Sequence, residues 1–279
     1  MTDFRRERGD GLSSAGPSAG WIADYARGLY THVVRAWLAA RGTAAPAALL
    51  HAPAAAEAVG WSLALTKAWE PYALFRADLD ALGTHLELRA LLDAWQAIQE
   101  GRYDAGAHGA RSARGTALGP GSSARLLAHA LKVEGVALFR LGRYREAEAL
   151  TRSALDLFTM AGDRLQVSHC ATNLGLVLNA VGDLHASRAA LVQAVDALLE
   201  AGAAAERVAL ARVNLAVVEL HLGRVEAARL LYEECLAVFE RLGLRSEMVT
   251  AHNGLGHCAR ALGRFDAALA HHRDALRLC

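Results

Sequence analysis

The chain has 279 residues, 53% of them apolar, and its 30 lysine and arginine residues nearly balance 29 aspartate and glutamate residues, giving a net charge of +1. This balance lacks the electrostatic signature of a nucleic-acid binder, and the apolar content excludes a largely disordered chain. Four cysteines are too few for a disulfide scaffold. Alanine and leucine, which favour helices, supply most of the apolar share, so the composition predicts an all-α protein.

The N-terminal segment, residues 1–20, is charged and then rich in glycine and serine, and we expect it to form a disordered tail. No apolar segment follows the early arginines, which argues against a signal peptide. The most apolar stretch, residues 45–69, contains His51, Glu57 and Lys67 and is therefore unsuited to span a bilayer. We expect a cytoplasmic protein that does not enter a membrane.

Residues 21–90 are predicted to be helical without a clear repeat, and we interpret them as an N-terminal helical cap. Gly60 precedes Gly101 by the same interval that separates Gly101 from Gly142, so a degenerate repeat is the alternative. All tryptophans precede residue 100, and we expect them to cover the first repeat, with a partner-binding surface as the alternative. They are Trp21, Trp37, Trp61, Trp69 and Trp95.

Residues 91–279 contain a segment that recurs about every 40 residues. Four clear copies start at residues 141, 181, 222 and 262, and a weaker copy, EGRYDAGAHGARSA, starts at residue 100. A second series of glycines alternates with the first, so each period contains two turns and therefore two helices. The four clear copies read LGRYREAEALTRSAL, VGDLHASRAALVQAV, LGRVEAARLLYEECL and LGRFDAALAHHRDAL. The first glycine series is Gly101, Gly142, Gly182, Gly223 and Gly263, and the second is Gly121, Gly162, Gly202 and Gly243.

Apolar residues in each half of the repeat follow the spacing of an amphipathic helix, and Asp183 is a predicted N-cap. Small residues recur at one position of each helix, which indicates that the two helices pack closely. Large residues two places after the turn glycine are predicted to fill this contact. The small residues are Gly135, Gly175, Ala216 and Gly256, then Ala147, Ser187, Ala228 and Ala268; the large ones are Tyr103, Tyr144, Leu184, Val225 and Phe265.

The pattern resembles the tetratricopeptide repeat family over about residues 91–279, and its period resembles the long subclass of kinesin light chains and bacterial MalT-like regulators. This resemblance implies a right-handed α-solenoid of antiparallel helix pairs whose first helices line a concave groove. The copy at residue 100 is atypical, since Asp93 and Gly106 replace an apolar residue and an alanine. The matching landmarks in one clear copy are Gly135, Gly142, Tyr144, Ala147, Ala154 and Leu155.

The resemblance also implies which residues face the groove: those six and three places before the small residue of the first helix, and one and four places after it. In the first helix that ends before Gly223 these positions hold Leu210, Val213, Val217 and Leu220, which suggest an apolar floor that could hold a partner helix. The predicted partner-binding residues are His129, Lys132, Phe139, Arg140, Asn173, Asn179, Asn214, Leu220, His221, Asn253, His257 and Arg260.

Asn173 and Asn214 occupy equivalent positions in successive copies. By resemblance to the family, asparagines on this face hold the backbone of an extended peptide, and a carboxamide offers the matching donor and acceptor. Hydrogen bonding to the neighbouring repeat is the alternative. The few basic residues here, Lys132, Arg140 and Arg260, do not lie on adjacent repeats, so a chaperone C-terminus is a poor candidate ligand.

No motif indicates an enzyme, a cofactor or a metal ion. The segment GPGSS at 119–123 lacks the GK[ST] of a phosphate loop. His252 and His257 are five places apart, and His271 and His272 are adjacent, so neither pair has the HxxxH spacing of two ligands on one helix face. Cys235 falls at a packing position and is predicted to be a buried thiol.

The sequence ends at DALRLC, within the second helix of the last repeat, and we expect no C-terminal cap. Three explanations of the missing cap are open. The sequence is a fragment of a longer protein, the uncapped last repeat forms a homodimer, or the array tolerates the exposure of this repeat. We expect a protein–protein interaction scaffold that binds a peptide or helix in its groove. The sensory arm of a larger bacterial transcription regulator or signalling ATPase is the alternative.

Overall fold

The computed structural model describes residues 36–39, 50–51, 53–65, 69–83, 85–117 and 123–278, and every regular element in them is an α-helix. The expected disordered tail, residues 1–20, lies outside these residues. The chain divides into two compact units, residues 1–89 and 90–279. None of the described helices has the length and apolar character needed to cross a membrane.

The N-terminal unit contains helices α1 (Pro53–Leu65) and α2 (Trp69–Leu82), which pack against each other. Trp37 is buried beside them: its indole N–H donates to Asp78 at 3.0 Å, and its ring meets Phe75 edge-on with 5.7 Å between the ring centroids. Trp61 is buried as well. The expected cap over the first repeat stays a prediction, and Trp21 lies outside the described residues.

The second unit is a succession of helix pairs. From residue 124 onward the helices begin at a nearly constant interval and are joined by short turns, which reverse the chain and make each pair antiparallel. These bounds confirm the predicted α-solenoid. The helices are α3 (Leu86–Gln99), whose first residues belong to the N-terminal unit, α4 (Tyr103–Ala117), α5 (Ala124–Arg140), α6 (Tyr144–Met160), α7 (Arg164–Val181), α8 (Leu184–Glu200), α9 (Ala205–His221), α10 (Val225–Leu242), α11 (Arg245–Ala261) and α12 (Phe265–Leu278).

Glycines terminate the helices at the predicted places. Gly182, for example, has φ of +86° and donates its N–H to the last turn of α7, a conformation that a side chain would strain. Asp183 then accepts a hydrogen bond from the N–H of Ala186, which confirms it as an N-cap. Both predicted glycine series adopt positive φ wherever they are described: Gly101, Gly142, Gly162, Gly182, Gly202, Gly223, Gly243 and Gly263.

The two helices of a repeat meet at the small residue of the first helix. A Cβ atom on Gly175 would lie 2.5 Å from Cγ of Leu191, which is fully buried on α8. The Oγ of Ser187 also donates to the carbonyl of Gly175 at 2.7 Å. The backbone of α7 therefore rests directly on α8. The same contact, at the same separation along the chain, pairs Gly135 with Thr151 and Gly256 with His272.

The prediction that residues two places after the turn glycine fill this contact was wrong. Phe265 is 70% exposed and Tyr144 is also exposed. In an antiparallel pair, residues that face each other lie at similar distances from the turn. Gly135 lies seven places before Gly142, so it faces Thr151, nine places after that glycine, and not Tyr144.

Successive repeats share one core and are joined by ion pairs between buried glutamates and partly exposed arginines. Phe158 of α6 is fully buried in a cluster that extends from α5 to α8. Glu134 of α5 is buried and pairs with Arg111 at 2.8 Å and Arg114 at 2.9 Å, both on α4. Glu219 of α9 is likewise buried and pairs with Arg188 of α8 at 2.6 Å. These pairs cross from one repeat to the next.

We expect Gly175→Ala to lower the stability of the array. The new methyl group would press on buried Leu191, and overpacking of this kind costs about 1–3 kcal/mol. Alanine has a better helix propensity than glycine, which stabilises the folded protein by at most about 1 kcal/mol. Chemical denaturation followed by circular dichroism should therefore give a free energy of unfolding about 1 kcal/mol below the wild-type value.

The matched control is Gly115→Ala. Gly115 is exposed on α4, and nothing lies within 4 Å of the position of its Cβ, so only the helix propensity changes. This variant should be as stable as the wild type or slightly more stable. Equal effects at the two positions would contradict the close contact between α7 and α8.

Candidate functional site

The first helices of successive repeats contact one another directly: α5 packs against α7, α7 against α9, and α9 against α11. Among the described helices, no two second helices from neighbouring repeats pack to a comparable extent. Neighbours approach more closely on the concave side of a curved array, so the first helices form that side. We call the concave surface of α5, α7, α9 and α11 the inner face.

The middle of the inner face is partly apolar. Leu210 is 41% exposed, and Leu176, Val217 and Leu220 are half-buried. Val213 is buried and belongs to the core beneath them. The expected apolar floor therefore consists of side chains of α7 and α9 that a ligand can reach. Val213 belongs to the core below them and is not part of this accessible surface.

Asn173 and Asn214 lie next to these apolar residues, each two places before the small residue of its helix. Both side chains are half-buried, and neither forms a hydrogen bond with another described residue. The bonds to a neighbouring repeat, which were the alternative interpretation, are thus not formed there. Each carboxamide keeps a donor and an acceptor for a ligand.

The predicted residues of α5 divide into two groups. His129 and Lys132 are only 1% and 7% exposed, and Nζ of Lys132 donates to Oε1 of Gln166 on α7 at 2.7 Å. Phe139 is half-buried and its ring lies near Tyr144, whereas Arg140 is exposed. A ligand can therefore reach the end of α5 but not its middle.

His169 and Arg207 join α7 to α9 on the inner face. The guanidinium of Arg207 donates to Nε2 of His169, so this nitrogen must be unprotonated. Burial of the ring, and then the positive charges of Lys132, Arg207 and His129, hold the pKa of His169 well below its usual value. The imidazole is therefore a neutral acceptor at neutral pH.

Asn179 and His221 form a second link between the same helices. Nδ1 of His221 lies 2.9 Å from Oδ1 of Asn179 and can donate to it. Since His221 is exposed and Asn179 half-buried, this bond lies at the edge of the inner face. The two predicted residues are thus brought together, and a ligand would compete with their mutual hydrogen bond.

The predicted residues of α11 are the most accessible. Asn253, His257 and Arg260 are exposed. Oδ1 of Asn253 lies 3.2 Å from Nδ1 of His272, and the ring of His257 packs edge-on against the same histidine. Partial burial, and then the charges of His272 and Arg260, lower the pKa of His257. This end of the inner face is polar.

Gln166 and Arg207 were not predicted, although both lie nine places before the small residue of their helix. Gln166 accepts a hydrogen bond from Lys132, and Arg207 donates one to His169, so this position links α7 to α5 and α9 to α7. The recurrence of a polar residue at the same position of two successive repeats was the signal that could have identified them.

Two equivalent clefts lie on the opposite side of the array, one of about 330 Å³ between α6, α7 and α8 and one of about 300 Å³ between α8, α9 and α10. Cys235 lines the second cleft. It is buried, as predicted, and burial raises the pKa of its thiol to about 12. The sulfur is therefore protonated and unreactive at neutral pH.

A family model described as Tetratricopeptide repeat matches residues 126–200 and 207–279, which together make up more than half of the chain. A comparison with curated proteins gave no match. The match covers the four clear repeats and contains all the predicted inner-face residues.

Several solved structures have a similar fold at low sequence identity. BtubC from P. vanneervenii is 18% identical, with a TM-score of 0.61 over 94% of this chain and 91% of that one. A Rap protein in complex with Competence and Sporulation Factor is 14% identical, with a TM-score of 0.64 over 93% and 76%. A putative kinesin light chain from Podospora anserina is 16% identical, with a TM-score of 0.58 over 68% and 92%.

We expect the stability of the protein to fall as the pH drops below about 6.5, in part because of His169. The unfolded chain takes up a proton there at the ordinary pKa of about 6.5, whereas the folded chain, with its lowered pKa, does not. Protonation therefore favours the unfolded state, and stability is complete only above this pH. Denaturation of His169→Gln between pH 7 and pH 5 should show a smaller loss than the wild type.

The control is His185→Gln, since His185 is exposed on α8 and lies away from the inner face. This variant should keep the wild-type dependence on pH. If the stability of His169→Gln changed with pH as that of the wild type does, the bond between Arg207 and His169 would not depend on a neutral imidazole.

Proposed function

Because this chain belongs to the tetratricopeptide repeat family, we propose that its inner face binds an extended peptide segment of a partner protein. The observation that supports this proposal most is the pair of half-buried carboxamides, Asn173 and Asn214, which lack hydrogen-bond partners among the described residues. A peptide unit offers one donor and one acceptor, and a carboxamide matches both. Two such groups on adjacent repeats can hold a backbone without reading its sequence.

Specificity would come from the surrounding side chains. Leu210, Val217 and Leu220 lie on the same helix as Asn214 and provide apolar contacts for a ligand side chain. Arg140 and Arg260 are exposed towards the two ends of the inner face and would favour acidic residues there. The preferred ligand is therefore a peptide with an apolar centre and acidic flanks.

The fold similarity to a Rap protein, solved with Competence and Sporulation Factor bound, agrees with a ligand-binding role for such an array. We propose no catalytic activity for the chain. The alternative role as the sensory arm of a larger regulator, and the homodimer through the last repeat, stay predictions.

We expect Asn173→Ala combined with Asn214→Ala to weaken peptide binding without unfolding the protein. Peptides selected from a random displayed library on the wild-type protein would serve as probes, measured by fluorescence polarisation. Losing one net hydrogen bond per asparagine, at about 0.5–1.5 kcal/mol each, removes about 1–3 kcal/mol in total and corresponds to a Kd about 5 to 140 times higher. Circular dichroism should show an unchanged thermal midpoint.

The matched control is Gln193→Ala, which removes an exposed carboxamide from the opposite side of the array on α8. It should leave binding unchanged. Selected peptides that bind the double variant as tightly as the wild type would overturn the proposal. Selected sequences with apolar residues at i, i+4 and i+7 would show that the ligand is a helix and not an extended chain.

A further inference from the structure

Four histidines face one another across the last helix pair. His252 and His257 lie on α11, and His271 and His272 lie on α12. The rings of His252 and His271 have centroids 5.6 Å apart, and those of His257 and His272 are 5.5 Å apart. Neither helix alone has the spacing of a metal motif, so the arrangement arises only when the two helices pack.

We propose that His252, His271 and Asp274 form a binding site for a divalent transition-metal ion such as Zn²⁺. One ligand atom from each residue lies within 4.8 Å of the other two. Nδ1 of His252 and Nδ1 of His271 are 3.4 Å apart. Two nitrogens of a tetrahedral zinc site, each about 2.0–2.1 Å from the ion, lie about 3.3 Å apart.

The ligand types select the class of metal. Imidazole nitrogens suit zinc, copper and nickel, whereas calcium and magnesium prefer oxygen ligands. Two histidines and one carboxylate provide three protein ligands, which leaves a fourth position for water or an external group. All three side chains are half-buried, so an ion can enter from solvent and the side chains need little rearrangement.

Asp274 also has an ion pair, which does not block the site. Arg277 contacts Oδ1 of Asp274 at 2.8 Å; the side chain of Arg277 is 76% exposed and that of Asp274 is 41% exposed. An exposed pair of this kind is worth little because water screens it. A carboxylate has two oxygens with several lone pairs, so Asp274 can bind an ion and keep this contact.

A bound ion would join α11 to α12. These helices already pack closely, with Gly256 against His272, but α12 has exposed apolar residues such as Phe265 and Leu276. Any ligand that binds only the folded state stabilises it. The ion would therefore stabilise the last helix pair and with it the exposed residues that α11 contributes to the inner face.

The test is zinc binding to the tag-free full-length chain, measured by isothermal titration calorimetry without chelating buffer. We expect one ion per chain, and a loss of affinity of at least about tenfold for His252→Ala or His271→Ala, since even outer partners of metal ligands are worth about 10–100-fold. Zinc should raise the thermal midpoint of the wild type but not that of His271→Ala. Magnesium should raise neither.

The matched control is His257→Ala, which removes an imidazole from α11 but leaves the three ligands in place. It should bind zinc as the wild type does, and so should Cys279→Ser, which removes a thiol that could compete for the ion. If His252→Ala does not fold, as judged by circular dichroism, His252→Gln tests the same ligand. Absence of saturable binding, or binding that survives the loss of both His252 and His271, would overturn the proposal.

Discussion

Close contact between the two helices of a repeat is the constraint on which the rest of the array depends. At Gly175 the backbone of α7 rests on Leu191, and the hydroxyl of Ser187 holds the same carbonyl. A larger residue would separate the helices and disturb the core that Phe158 and its neighbours share across repeats. The spacing of the first helices on the inner face therefore follows from a contact inside each pair.

The turns could be predicted from the sequence because their chemistry is local. Gly182 needs a positive φ and Asp183 caps the next helix, and both requirements concern only the adjacent backbone. The residue that faces the small position was predicted wrongly, because the prediction started from the recurring large residues and not from their distance to the turn. Distance from the turn sets that pairing, so Thr151 and not Tyr144 faces Gly135.

In the candidate site, too, local features could be predicted from the sequence and features that depend on helix packing could not. The register of Asn173 and Asn214 is visible in the sequence because it follows the period. The burial of His129 and Lys132 is not visible, since it depends on Gln166 from the next repeat and on the ring of Phe158. Facing histidines on α11 and α12 also escape a search within single helices, because the rotation of both helices determines which rings meet.

The two equivalent carboxamides on successive repeats, Asn173 and Asn214, also set a unit of length. First helices in contact have axes about 8–10 Å apart, and an extended chain advances about 3.3 Å per residue. A chain lying across α7 and α9 would advance about three residues between Asn173 and Asn214. Recognition across these two repeats would thus follow a step of three residues, with the two residues between the backbone contacts free to vary.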